Sequence, residues 1–277
     1  MKKRILKIAA LVVALALIIG VCWFANGLVG NPISKAMAIN SAGKHIQNNY
    51  DEDDLEIERV TFSFKDGHYH AFVTSQSNID GDFTILIDMW GKVLIDTYED
   101  RVSGGWNTAD RIGREYRSKV DAVFDSQSFP YAEHIGYGDI EFISREYKDD
   151  PNIPNYALVT EELTMGAIYD VNELGAKAGK LTVYIDDDTV SIERMAEILL
   201  DIREIFDAAG VKFYAIDCVL EYGKDENGFY KDGRVEVMDF LYSDIYDEDM
   251  IERVQVANDA ATSYHAWQDD EKFGESE

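Results

Sequence analysis

An uncharged apolar run near the start of the chain constrains its fold more than any other sequence feature. Residues 8–24, IAALVVALALIIGVCWF, carry no charge, and the uncharged stretch continues through Gly30. As a helix this run rises about 26 Å, close to the roughly 30 Å of hydrocarbon in a bilayer, and a helix satisfies its own backbone hydrogen bonds there. The sequence therefore predicts that residues 1–30 are a cytoplasmic basic start followed by a transmembrane anchor.

Basic residues before the run predict its orientation. Lys2, Lys3, Arg4 and Lys7 precede it, and positive charges favour the cytoplasmic side of a membrane. The sequence thus predicts a single-pass protein of the cell membrane, with the lipid bilayer as its first partner. Everything after Gly30 is expected to be extracytoplasmic.

Two other fates of this segment stay open, because signal peptides share a basic start and an apolar core. Cleavage would use Ala25-Asn26-Gly27, although the apolar run is longer than a typical signal core. Lipidation would occur on Cys22, but Val21 stands before it, where a lipoprotein signal carries a small residue. Span length and the quality of these sites favour a retained anchor.

The charge balance excludes further classes of protein. The 277 residues contain 53 Asp and Glu against 26 Lys and Arg, a net charge of −27, and the part after Gly30 keeps 22 of the basic residues and all of the acids. A chain this acidic repels nucleic acid, so we expect no nucleic-acid partner. With 46% hydrophobic and 12% aromatic residues, the chain has enough apolar surface to fold.

Hydrophobic periodicity divides the rest of the chain into two blocks. The predicted fold class is α+β, an N-terminal transmembrane helix followed by two domains that each combine an antiparallel sheet with helices. The predicted parts are a helix, four-stranded sheet and helix module at 31–127, a linker with one strand at 128–156, an α+β domain at 157–268, and an acidic tail at 269–277.

In the first block, the four strands are closely spaced and predict an antiparallel meander. Leu55 and Ile57 have the opposite parity to Val60 and Phe62, which predicts a bulge in the first strand. The block is predicted to end in a helix that lies on this sheet, with Asn107 or Thr108 as its cap. The one strand of the linker is predicted at 139–147. In the second block, Ser191 and Gly210 bound the clearest helix, and strands are predicted at 181–186, 211–222 and 233–242.

Several segments carry a family resemblance. NPISKAMAINSAGKHI after the apolar run, DTYEDRV, GGWNTADRIGREY and DGRVEVMDFLYSDIYDEDMIERV together resemble the YfjL-like family of Gram-positive bacterial membrane-anchored proteins. The resemblance implies this topology and a two-part organisation, and it carries no catalytic residue over to this chain. By order of elements, the first block is also similar to cystatin-like and PepSY-like modules.

Residues that often carry chemistry are sparse or isolated. His68 and His70 face one side of a strand and offer two nitrogens, but a zinc site needs three or four ligands. Cys218 lies on the apolar face of a predicted strand, so we predict that its thiol is buried. Trp106 is predicted to pack under a helix start, and the acidic runs at 51–54, 186–188, 247–249 and 269–271 to be solvated surface. The other histidines are isolated in sequence: His45, His134 and His265.

We therefore predict no catalytic residue, no cofactor and no metal site. The expected function is a membrane-anchored extracytoplasmic binding or regulatory module with an extracytoplasmic protein partner. The alternative is an extracytoplasmic hydrolase that uses surface carboxylates. An exposed apolar patch or open sheet edge favours the first function, and a pocket with converging groups of shifted pKa favours the second.

Overall fold

The computed structural model describes residues 2–50, 54–224, 228, 231 and 233–273. Two compact units make up the chain. Unit 1 comprises Met1–Thr108 with Thr164–Gly166, and unit 2 comprises Ala109–Leu163 with Ala167–Glu277. Both combine helices with antiparallel strand pairs, which confirms the predicted α+β class.

Unit 1 begins with two helices, α1 (Lys2–Val29) and α2 (Pro32–Asn49). In the described part of the chain, one helical stretch, Ala10–Asn49, is long and apolar enough to cross a membrane, and its most apolar 18 residues have a mean hydropathy of 2.4. Gly30, at φ +69°, separates α1 from α2. The Asn31 side chain accepts a hydrogen bond from Ser34 N and caps α2, and Pro32 supplies the preset φ of a first helical residue.

The sheet of unit 1 is an antiparallel meander in the order β1-β2-β3-β4, as the sequence predicts. Its register shifts between Ile57 and Arg59, which confirms the bulge. One face of α2 packs on this sheet, and together they bury the core of the unit. The strands are β1 (Leu55–Ser63), β2 (His68–Ser75), β3 (Phe83–Ile87) and β4 (Val93–Asp96). The core includes Ala38, Ala42, Ile46, Val60, Tyr69, Ala71, Val73, Phe83, Ile85 and Ile87.

Unit 2 holds a four-stranded sheet in the order β10-β9-β8-β5, and its buried side chains form one core with those of the helices. Its β8–β9 pair is parallel, which differs from the fully antiparallel sheet predicted for this domain. The helix between these two strands makes the crossover that parallel strands require. In chain order the strands are β5 (Ala132–Ile140), β6 (Phe142–Ile143), β7 (Leu158–Val159), β8 (Gly179–Asp186), β9 (Ala215–Glu221) and β10 (Arg234–Leu241).

Four helices follow those of unit 1 along the chain. They are α3 (Trp106–Phe124), α4 (Val171–Ala178), α5 (Ile192–Ala209) and α6 (Met250–Phe273). The limits of α5 agree with the sequence prediction, because Ser191 accepts a hydrogen bond from Arg194 N at its start and Gly210 takes the left-handed conformation at its end. Short helical turns occur at Glu99–Ser103, Arg145–Tyr147, Thr160–Glu162 and Tyr242–Asp244.

The structure places α3 differently from the sequence prediction. Ile112, Tyr116 and Val120 lie in the core of unit 2 rather than on the first sheet, so the division falls near residue 108 instead of 127. Neither predicted residue caps the helix: Asn107 donates to the carbonyls of residues 80 and 82, and Thr108 Oγ1 donates to Asp80. These contacts join distant segments, which local periodicity does not reveal.

The predicted linker at 128–156 also differs from the structure. It contains β5, which starts at Ala132 and not at Asp139. Gly136 and Gly138 interrupt its hydrophobic alternation and weaken the strand signal, yet Gly138 fits because an added Cβ would lie 2.8 Å from Val120. The acidic tail predicted at 269–277 overlaps the end of α6, and its side chains lie outside the described residues.

Candidate functional site

Two acidic side chains meet where the parallel strands β8 and β9 end. Asp186 and Glu221 are the last residues of these strands and pair in the register. His134 of β5 lies against both: its Nδ1 is 3.2 Å from Oδ1 of Asp186, and its Nε2 is 3.5 Å from Oε1 of Glu221. We call these three residues the His134 cluster.

A bulge in β5 determines where the His134 ring lies. Glu133 pairs with Ile185 and Ile135 pairs with Tyr184, so His134 is the extra residue between two regular pairs. Bulges commonly redirect a side chain in this way. The ring also meets that of Tyr184 edge-on, with centroids 5.7 Å apart. Backbone register therefore positions the imidazole between the two carboxylates.

This cluster has two chemical uses. A protonated imidazole donates from both nitrogens and links the two acids, whereas a neutral ring offers one nitrogen to a metal ion beside two carboxylate oxygens. The three ligand atoms lie within 4.8 Å of one another. In the structure Asp186 and Glu221 lie nearest to different ring nitrogens of His134. The geometry of the cluster is compatible with both uses.

A cavity of about 520 Å³ opens beside the cluster and shares Asp186 with it. Arg194 is the basic residue in its lining, and this guanidinium already bonds Asp187 and Glu197. Burial disfavours ionised Asp187, but hydrogen bonds from Thr189 N and Arg194 outweigh burial and lower its pKa. The cavity is thus predominantly acidic. Its lining comprises Pro130, Tyr131, Ala132, Asp186, Asp187, Asp188, Arg194, Asp201 and Gly223.

A second polar cluster surrounds Lys180 on the sheet face opposite the helices. Its Nζ lies 2.9 Å from Oδ2 of Asp217 and 2.7 Å from Oδ1 of Asp239. Tyr156 Oη donates to Asp239 over 2.8 Å. Asp239 lies in the bulge of β10 at φ +46°, an uncommon conformation for a non-glycine residue, and its N–H donates to Asp217. We call this group, with the nearby Glu141, the Lys180 cluster.

Two acids of the Lys180 cluster, Glu141 and Asp217, have raised pKa values. Burial raises the pKa of Glu141 and of Asp217, and the Lys180 charge only partly offsets this effect. Burial also disfavours the protonated amine, but hydrogen bonds to Asp239 and Asp217 outweigh it and raise the pKa of Lys180. Neither Glu141 nor Asp217 lines the cavity beside Asp186.

The two histidines singled out in the sequence share an acid, not a metal-ligand set. His70 Nε2 lies 2.8 Å from Oδ2 of Asp66, and the backbone N–H of His68 donates to the same carboxylate. These bonds, led by that from His70, lower the pKa of Asp66 to about 2. In the described ranges, the group with metal-ligand spacing is the His134 cluster instead.

The other histidines are isolated in sequence but paired in space. His45 lies 2.5 Å from Asp96, and His265 lies 2.9 Å from Glu236. Their partners are 51 and 29 residues away along the chain. Strand pairing and helix packing create these pairs, and likewise the His134 cluster. The sequence predicted the acidic end of the strand at 181–186, but nothing in it indicated that His134 would lie beside these acids.

The remaining sequence candidates have mixed outcomes. Cys218 is fully buried, as predicted, and burial raises the pKa of its thiol. Asp187 makes an ion pair with Arg194 and Asp186 lies against His134, unlike the solvated run predicted there, whereas residues 247–249 are exposed. Trp106 is half-buried at the first residue of α3. Outside the described residues lie 51–53 and the side chains of Cys22 and 269–271.

Comparison with known families identifies both parts of the chain. The model of the YfjL-like N-terminal domain matches residues 3–97, and that of the YfjL-like C-terminal domain matches residues 115–255. The chain belongs to the YfjL-like family. This membership confirms the family resemblance drawn from the sequence.

Among solved structures, a DUF5037 family protein from Ruminococcus gnavus is similar to this YfjL-like chain at 15% identity. The similarity covers 69% of this chain and 76% of that one, with a TM-score of 0.21. No curated protein matches the chain.

Proposed function

We propose that this YfjL-like protein is a single-pass membrane protein whose chain after Gly30 lies outside the cytoplasm and acts as a binding or regulatory module. The apolar length of α1 supports a retained anchor, and the basic start supports an outward orientation. Under this proposal the module has no enzymatic role, and its partner is an extracytoplasmic protein.

The observation that carries the binding role is the open edge of β5. This strand is the last in its sheet, and no described strand pairs with its outer side. Ile135 and Tyr137 are exposed along it. An open edge offers free backbone donors and acceptors to an extended segment of another protein, and exposed side chains add selectivity.

The charge beside this edge defines the chemistry of the partner. Ala132, the first residue of β5, also lines the acidic cavity with Asp186, Asp188 and Asp201. A segment paired with β5 would therefore reach the cavity, where a Lys or Arg side chain is favoured. We propose that the partner contributes an extended segment with basic residues.

Peptide binding to the full chain in nanodiscs of neutral lipid tests this proposal. A short peptide of alternating Lys and Val should bind, and the same peptide with Glu for Lys should not. Asp188→Asn should weaken binding by about two- to fivefold, the size of one exposed ion pair. Asp247→Asn removes an equal charge outside the cavity and should leave binding unchanged. Equal binding of both peptides, or equal effects of both variants, would reject the proposed surface.

A hydrolase is the second candidate function, and the Lys180 cluster is the observation that favours it. Buried acids of raised pKa beside a lysine are typical of catalytic sites. Against this role, the Lys180 amine already bonds both Asp217 and Asp239 and is therefore engaged within the cluster. Hydrolysis of a glycoside or peptide library by the wild type, abolished in Glu141→Gln, would favour the enzyme over the binding module.

A further inference from the structure

One end of unit 1 is joined to α1. The Tyr69 hydroxyl accepts a hydrogen bond from Asn31 N over 2.9 Å and donates one to Asn31 O over 3.0 Å. Gly30 lies so close to this ring that an added Cβ would be 2.4 Å from Tyr69 Oη and 2.9 Å from the Phe62 ring. Since Phe62 and Tyr69 pair beside the β1–β2 turn, that turn lies where α1 leaves the unit.

The β3–β4 turn lies at the same end of the sheet. Ile87 pairs with Tyr69 in the register, so the residues after Ile87 continue toward this end. Gly91, at φ +85°, approaches α2 closely, and an added Cβ would be 3.1 Å from Ser41 Oγ. Oδ1 of Asp88 accepts hydrogen bonds from the N–H groups of Trp90 and Lys92, which fixes the turn.

Large apolar side chains are exposed at this end. Trp90 in the β3–β4 turn is 83% exposed, Phe64 in the β1–β2 turn is 64% exposed, and Ile33 in the first turn of α2 is 75% exposed. Tryptophan and phenylalanine on fixed turns are unusual in water, whereas aromatic residues are common where a membrane protein meets the lipid headgroups.

The charges at this end differ from those of the whole chain. Lys35, Lys65 and Lys92 are exposed beside the three apolar side chains. The nearby acids are engaged locally, Asp66 with His70 and Asp88 with its own turn. Three lysines thus face two acids at this end, whereas the whole chain has a net charge of −27, and anionic headgroups attract lysine at a bilayer surface.

We propose that this end of unit 1 is a membrane-contact rim that lies in the headgroup layer of the bilayer crossed by α1. The rim consists of Ile33, Phe64 and Trp90 with Lys35, Lys65 and Lys92. The inference rests on the proposed membrane anchor and adds a second, peripheral contact beside it. Continuity with α1 at Gly30 and charge complementarity identify the lipid surface as its occupant. The rim holds unit 1 against the membrane and restricts its rotation about α1.

Spin-label accessibility in the full chain, reconstituted in phosphatidylglycerol-containing vesicles, tests the rim. Nitroxides are attached singly to Trp90→Cys, Phe64→Cys and Ile79→Cys in a Cys22→Ala background; the buried Cys218 is left in place. Ile79 is 72% exposed between β2 and β3, at the opposite end of the same sheet, and is the matched control. A label on Ile18→Cys reports on the anchor itself.

We expect labels at 90 and 64 to collide more with oxygen and less with a water-soluble nickel chelate than the label at 79. If labels at 90 and 64 match the label at 79 while the label at 18 is in lipid, the rim is wrong and the anchor stands. If the label at 18 is itself in water, the proposed anchor fails and the rim fails with it.

Discussion

At the scale of single residues, the Lys180 cluster shows how burial and pairing compete. Glu141 and Asp217 lose hydration on folding, and this loss raises the pKa of each carboxyl. Asp66 is the opposite case, because it is exposed and accepts hydrogen bonds that lower its pKa to about 2. Carboxyl groups in the two surroundings therefore contribute to the free energy of unfolding with opposite dependence on pH.

Substituting Glu141 tests this view through the dependence of stability on pH. Its pKa in the folded state is raised above the unfolded value of about 4.5, so the folded protein binds more protons between the two values. The free energy of unfolding therefore falls as pH rises through this window. Glutamine at position 141 cannot ionise, so Glu141→Gln should lack this part of the fall. Compared with the wild type at the same pH, the variant should therefore be relatively more stable at neutral pH than it is in acid.

The measurement is the urea midpoint of the full chain in detergent micelles, followed by far-ultraviolet circular dichroism over a pH series. Glu146→Gln, at an exposed position of a short helical turn, is the control and should follow the wild type. A Glu141→Gln curve parallel to the wild-type curve would mean that burial of Glu141 does not govern its ionisation.

At the scale of elements, close helix packing in unit 2 depends on small residues. Gly175 of α4 lies against α3 and the segment before β9, where an added Cβ would be 2.4 Å from Lys212 O and 2.6 Å from the Tyr116 ring. The Tyr116 hydroxyl donates to Lys212 O over 2.8 Å, which holds both neighbours in place. A methyl group at Gly175 therefore has no space without moving backbone.

Alanine substitutions at two helical glycines should consequently have opposite effects. Gly175→Ala should lower the free energy of unfolding by about 1–3 kcal/mol through overpacking. Gly113→Ala, in α3 with no atom near the added Cβ, should raise it by about 0.5–1 kcal/mol because alanine favours the helix. Urea unfolding of both variants checks this, and a Gly175→Ala protein as stable as Gly113→Ala would contradict the packing described.

Elements with local signals could be predicted from the sequence, and elements defined by partners could not. Ser191 and Gly210 bound α5 by hydrogen bonding and backbone conformation within a few residues, so the sequence contains both limits. The glycines of β5 conceal a strand that β8 stabilises by pairing. The apolar face of α3 was correctly recognised, but its spacing does not specify which sheet it covers.

The candidate site was the least predictable part for the same reason. His134 meets Asp186 and Glu221 only because β5, β8 and β9 are neighbours in one sheet. Parallel pairing of β8 with β9, which aligns the two acids, contradicts the antiparallel arrangement expected for this domain. The acidic run at 186–188 could be recognised from residue type alone, whereas the position of His134 beside it follows from the order of the strands.

At the scale of the whole molecule, the account depends on the placement of a strongly acidic chain beside a membrane. The anchor concentrates the protein in two dimensions, and the net charge of −27 favours cationic partners and disfavours anionic ones. Both the β5 edge and the membrane-contact rim serve this arrangement only if α1 stays in the bilayer and the chain after Gly30 lies outside.

Labelling of single cysteines in intact Gram-positive cells tests this placement most directly. The Cys22→Ala chain carries either Ile168→Cys, where the native side chain is 97% exposed, or Lys3→Cys before the apolar run. A membrane-impermeant maleimide should label position 168 in intact cells and position 3 only after lysis, with both proteins retained in washed membranes. Protection of position 168 until lysis, or release of the protein into the medium, would contradict a retained anchor with the chain after Gly30 outside.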